Sequence, residues 1–138
     1  MKTPSKLLIA ALCLTTVTFC WLWQAERRDR SDLILLAQAN AATCAGGFED
    51  YLKTGDDAMY WSAVADFRAF EQAYLVLSDG TAGNYIFCNE VYARLVFYPE
   101  VSKRHVEEVA AAMRMLAADV RDPAGFVEMA ALRHDIQD

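Results

Sequence analysis

Cysteine, histidine and carboxylate side chains are the first places to look for chemistry, and here each type is sparse or badly spaced. Cys13 and Cys20 lie seven apart in an apolar run, on one face of a helix, where small apolar residues need no role. Cys44 and Cys88 fall on stripes that read as inward-facing. They could form a disulfide if this part of the chain sits outside the cytoplasm; inside it they read as buried thiols. No Cys-x-x-Cys pair exists, so neither a thioredoxin-type centre nor a zinc ribbon is indicated.

His105 precedes Glu108 by three residues. A di-iron bundle needs two Glu-x-x-His pairs and two further glutamates; here the order is reversed and no second copy follows. His134 lies in a charged tail. Both histidines read as solvated helix surface. None of Ser5, Ser31, Ser62, Ser78 and Ser102 sits in a nucleophile elbow. Gly46-Gly47 and Gly80…Gly83 lack the lysine of a phosphate loop, and Asp79-Gly80 lacks the remaining oxygens of a calcium loop. The sequence therefore assigns no catalytic residue, cofactor or metal, and the chain reads as a non-enzyme.

What does stand out is aromatic. Tyr60, Trp61, Phe67, Phe70, Tyr74, Tyr85, Phe87, Tyr92, Phe97 and Tyr98 fall within 39 residues. Most are needed as core. Trp61 and Phe87 fall off the main stripes, as an exposed pair facing a partner or a membrane surface would. Glu71 sits inside a stripe between Phe67 and Tyr74, and a carboxylate there requires a partner, with Arg68 and Arg94 in reach. Glu90 and Arg94, four apart, read as an ordinary surface pair. The residues singled out as a partner or ligand surface are Trp61, Glu71, Tyr74, Phe87 and Tyr92.

The elements that would position them are helical throughout. Apolar spacing follows a 3.6-residue period, and no run alternates at period two. The spacing predicts a first helix over 31–53, with Ala37, Ala41, Cys44, Phe48 and Leu52 inward and Gly46-Gly47 as a place to kink. A second is predicted over 57–78 behind Asp56 or Asp57, burying Tyr60, Ala63, Val64, Phe67, Phe70, Tyr74 and Leu77. Residues 78–83 read as a loop, followed by a third helix over 84–98 that ends before Pro99 and turns Cys88, Val91, Tyr92 and Leu95 inward. A fourth over 102–121, starting at Ser102 or at Pro99, carries Val106, Val109, Met113, Leu116 and Val120, and a fifth over 123–136 starts at Asp122-Pro123. This is an all-α chain: an N-terminal transmembrane helix followed by a small four- or five-helix bundle.

The transmembrane reading rests on Leu7 to Trp23, seventeen residues without a charge. As a helix they span about 26 Å, near the lower limit for a hydrocarbon core. Trp21 and Trp23 suit an interfacial belt, and Arg27, Arg28 and Arg30 suit the headgroup zone. A cleaved signal is the rival, but cleavage after Ala25 would put Trp23 where a small residue is wanted. The chain then divides into a basic tail (1–6), a signal-anchor helix (7–24), a charged juxtamembrane linker (25–32) and an acidic helical domain (33–138). The short basic tail and signal-like apolar run favour that domain outside the cytoplasm at the cell membrane; the arginines after the span favour it inside. We take the former.

Residues 31–138 hold eight basic against seventeen acidic side chains, a net −9, whereas residues 1–30 carry +3. A domain so acidic repels phosphate backbones, which excludes nucleic-acid binding. The reading is a membrane-tethered, non-enzymatic domain working through contacts with a protein partner, as an accessory subunit or adaptor. Two alternatives stay open: a small-ligand sensor with an aromatic pocket between helices two and three, and an enzyme built on carboxylates such as Glu71 and Glu90.

Overall fold

Pro99, which has no N–H, shapes much of the middle of this chain. A computed structural model describes the backbone of residues 3–78 and 83–136 and the side chains of residues 12–78 and 83–136. Within these the chain is all-helical: α1 (Thr3–Thr54), α2 (Asp57–Leu77), α3 (Gly83–Phe97), the single turn α4 (Pro99–Ser102), a 3₁₀ turn (Lys103–His105), α5 (Val106–Ala118) and α6 (Pro123–Asp135). Two compact units result, Met1–Asp32 and Leu33–Asp138.

In the first unit the hydroxyls of Thr15 and Thr16 both donate to the carbonyl of Leu12, at 2.9 and 2.8 Å, and that of Thr18 to Leu14 at 2.8 Å. Threonine is thereby accommodated in an apolar helix without a partner. Arg27 stacks its guanidinium 3.8 Å from the Trp23 ring centre. Leu12, Leu14, Val17, Phe19 and Trp21 are exposed. Among the described residues no helix is long and apolar enough to cross a membrane. The side chains of residues 7–11, the first five of the expected span, lie outside the described residues. Residues 25–32, expected as a linker, are helical and belong to α1.

In the second unit, α1 does not break at Gly46-Gly47. Gly47 meets α2 so closely that a Cβ there would stand 2.9 Å from that of Ala63. The glycine is therefore a contact point between helices rather than a kink. Gly55, at φ 67°, ends α1 with its N–H on the carbonyl of Tyr51 at 2.7 Å, a left-handed cap that a side chain would strain. Asp56 and Asp122 cap α2 and α6 by accepting from the amides of Ala58 and Ala124, each at 2.9 Å.

The core gathers Ala37, Ala41, Cys44 and Phe48 of α1 with the α2 stripe, Cys88, Val91 and Leu95 of α3, and Val106, Val109, Met113 and Leu116 of α5. Leu52, expected inward, is exposed, while Tyr51 packs edge-on to Tyr60 at 5.5 Å. A fourth step of three or four residues drifts off the face, and Tyr51 takes the inward place. The expected fourth helix is instead α4, the 3₁₀ turn and α5. It stops at Ala118 because extended Asp119 turns its carboxylate onto the Arg121 amide at 2.9 Å. Of the 78–83 loop, residues 79–82 lie outside the described residues.

Candidate functional site

Helices α2 and α3 lie antiparallel, since Tyr60, Phe67 and Tyr74 meet Leu95, Tyr92 and Asn84 in that order. This places Trp61 and Phe87, expected as an exposed pair, toward opposite ends of the helix pair. Trp61 is 44 % exposed with its ring edge-on to Tyr60 at 5.2 Å. Phe87 is half-buried under the Arg133 guanidinium, 5.3 Å from its ring centre. Of the other residues singled out, Glu71 and Tyr74 are buried and Tyr92 is partly so. The five do not form one surface.

Between α2 and α3 the rings pack on one another. Phe67 stacks on Tyr92 at 6.4 Å and Phe70 on Tyr74 at 6.0 Å, while Tyr74 reaches Phe126 of α6 at 4.7 Å. Glu71 is fully buried among them and takes Arg68 as its partner through Oε2. Arg68 in turn lies over Tyr92, 4.9 Å from its centre. The second oxygen of Glu71, Oε1, accepts no hydrogen bond among the described residues. Burial first, and then the nearby Glu71 charge, raise the Tyr85 phenol above its ordinary range. The same two causes push the Cys88 thiol up to about 12.

Cys44 and Cys88 are both buried free thiols. Burial raises Cys44 well above the usual thiol range, with Asp66 adding to it. Both thiols are held in the unreactive protonated form. His105, at the end of the 3₁₀ turn and partly buried, has its Nδ1 4.0 Å from Glu108. Among the described residues no group of three or more histidine, cysteine or carboxylate side chains could hold a metal ion.

The end of α3 is where polar chemistry concentrates. Leu95 lacks the amide that would normally take its carbonyl, because the residue four ahead is Pro99. The hydroxyl of buried Tyr60 donates to that carbonyl instead, at 2.8 Å. Ser102 is fully buried, and its hydroxyl donates at 3.0 Å to the carbonyl of Arg94, which also accepts from the Tyr98 amide at 2.8 Å. Burial pushes the Tyr60 phenol up to about 12.

Beside this closed end lies an open groove of roughly 550 Å³ lined by Glu90, Ala93, Arg94, Phe97, Tyr98, Val101 and Ile136. Phe97 and Tyr98 are 74 % and 60 % exposed. Glu90 does not pair with Arg94 as the four-residue spacing suggested. Its carboxylate goes to Arg133 of α6 at 3.2 Å. Arg68 serves Glu71, so neither expected acid reaches Arg94. Among the described residues its guanidinium makes one long contact, 3.5 Å to the carbonyl of Ile136. Lys53, Arg68, Lys103, Arg114, Arg121 and Arg133 all pair with carboxylates, whereas among the described residues of this unit Arg94 and Arg104 do not.

Sequence reasoning missed Arg94, Phe97 and Tyr98 as a group. The available signal was an aromatic pair left at a helix end by Pro99. The fold and groove define a small all-α bundle with an aromatic surface depression. No family model, characterised protein or solved structure matches the chain.

Proposed function

We propose that this chain is a membrane-tethered, non-enzymatic helical domain that acts through protein contacts, as an accessory subunit or adaptor. The observation that carries this is the side-by-side exposure of Phe97 and Tyr98 on a bundle whose core rings pack against one another. Large apolar side chains at a depression beside an arginine have the composition of a protein interface. The mutual stacking of Phe67, Phe70, Tyr74 and Tyr92 fills the space that a ligand sensor would need, and so favours partner binding over that alternative.

The tether is read from the seventeen uncharged residues from Leu7 to Trp23 and the Trp-then-Arg order after them. On this reading the chain resides in the cell membrane with its acidic domain outside the cytoplasm. Two measurements on one preparation test the proposal. The chain should stay with membranes through alkaline carbonate washing, and should co-purify from mild detergent with a stoichiometric protein. Release by carbonate removes the tether; recovery alone at constant yield removes the adaptor.

A further inference from the structure

In a unit carrying a net −8, an arginine with no carboxylate partner among the described residues is conspicuous. Arg94 lines the groove, has five N–H donors, and uses one on a 3.5 Å contact with Ile136. The competing acid in the groove wall, Glu90, is already engaged by Arg133. Two carbonyls in the last turn of α3 are also taken, Arg94's by Ser102 and Tyr98 and Leu95's by Tyr60. The groove thus offers a planar cation with no carboxylate partner among the described residues, next to two exposed rings.

We infer that this groove recognises a peptide segment of the protein partner in which an aspartate or glutamate adjoins a large apolar side chain. The carboxylate seats on the Arg94 guanidinium in the two-pronged manner arginine favours, and the apolar side chain lies on Phe97 and Tyr98. A peptide fits better than a small free acid because the rings stand 74 % and 60 % exposed rather than closing over a cavity; small-ligand sites bury most of their ligand. Arginine with aromatics is also the composition in which interface energy concentrates. The inference rests on the protein-contact reading above and names the partner's chemistry and the site it uses.

The test is selection of a displayed random heptapeptide library on the full chain in detergent micelles, followed by anisotropy titration of the winners as labelled peptides. Winners should carry Asp or Glu within two positions of Leu, Phe or Trp. Arg94→Gln should weaken them at least about tenfold, roughly 1.4 kcal/mol, with Arg94→Lys between it and the parent. Phe97→Ala should weaken them too, and Phe97 is exposed enough that its loss leaves the fold intact; melting curves check this for every variant. Winners without an acid, or indifferent to Arg94, overturn the assignment, as does an empty selection. Arg94-dependent binding of decanoate with no peptide bound makes the site a small-acid site and overturns it. A dimer dispersed by Phe97→Ala makes the occupant a second copy and overturns it equally. Peptides lost on Trp61→Ala but kept by Arg94→Gln leave the protein-contact reading standing and sink only the groove. An empty selection with no co-purifying partner sinks both.

Discussion

The Tyr60 hydroxyl donates to the carbonyl of Leu95 at 2.8 Å, so a side chain near the start of α2 supplies the hydrogen bond that Pro99 withholds from the end of α3. Both groups are buried, and a buried carbonyl without a donor is costly. Tyr60→Phe keeps the ring contacts with Phe48, Tyr51 and Trp61 and deletes only the donor. We expect a loss of about 1–3 kcal/mol in urea unfolding. A loss below a few tenths would mean that water reaches Leu95 and that the α3 end is open.

Two neighbouring glycines should respond in opposite directions. A Cβ on Gly47 meets Ala63 Cβ at 2.9 Å and its Cα at 3.3 Å, so α1 and α2 must part to admit it. Overpacking of this kind costs about 1–3 kcal/mol, more than the helix propensity gained. A Cβ on Gly46 meets nothing within 4 Å, and Gly46→Ala should stabilise by about 0.5–1 kcal/mol. Denaturant midpoints for the two variants check this. Equal effects of the same sign would mean the helices do not touch at Gly47.

The buried thiols and phenol set the alkaline limit. Cys88 is raised from 9.0 to about 12 and Tyr60 from 10.0 to about 12, with Cys44 also raised, each chiefly by burial. Folded values above unfolded ones mean that the native state holds protons the unfolded state has lost. Their contribution is therefore intact below about pH 9 and falls as pH rises toward about 12. Melting midpoints should drop steeply across that window, and Cys88→Val should flatten the drop. At pH 8, with Cys13 and Cys20 replaced by serine, a thiol reagent should find nothing in the native protein and two groups in urea without reductant. Thiols that appear only after reduction would mean that Cys44 and Cys88 are bridged.

The inward stripes were legible because helical periodicity is a local property. Tyr60, Ala63, Val64, Phe67, Phe70 and Tyr74 are all buried, as are Val106, Val109, Met113, Leu116 and Val120. The caps Asp56 and Asp122 were legible for the same reason. Pairings across helices were not. Spacing offered Glu90 to Arg94, yet Glu90 goes to Arg133, forty-three residues away, because packing of α6 on α3 brings a second guanidinium to it. The groove is a by-product of that choice and of the turn at Pro99, so no linear pattern announced it. Gly46-Gly47 misled for a related reason: a low helix propensity is a local cost, and close packing on Ala63 offsets it.

The bidentate pair between Glu49 of α1 and Arg114 of α5, at 2.7 and 2.8 Å, should leave an acid signature. Hydrogen bonding to Arg114 holds the Glu49 carboxyl below its ordinary 4.5. A depressed folded value means that the stabilisation is present above about pH 4.5 and is lost as pH falls through the folded value. The side chains are about a third and a half exposed, so the effect is small and screened by salt. Arg114→Gln should therefore lower the melting midpoint slightly at neutral pH and low salt. The gap should shrink in high salt and close in acid, where the parent has lost the pair as well. A gap that persists unchanged at pH 3 would assign the role of Arg114 to the packing of its aliphatic stem rather than to its charge.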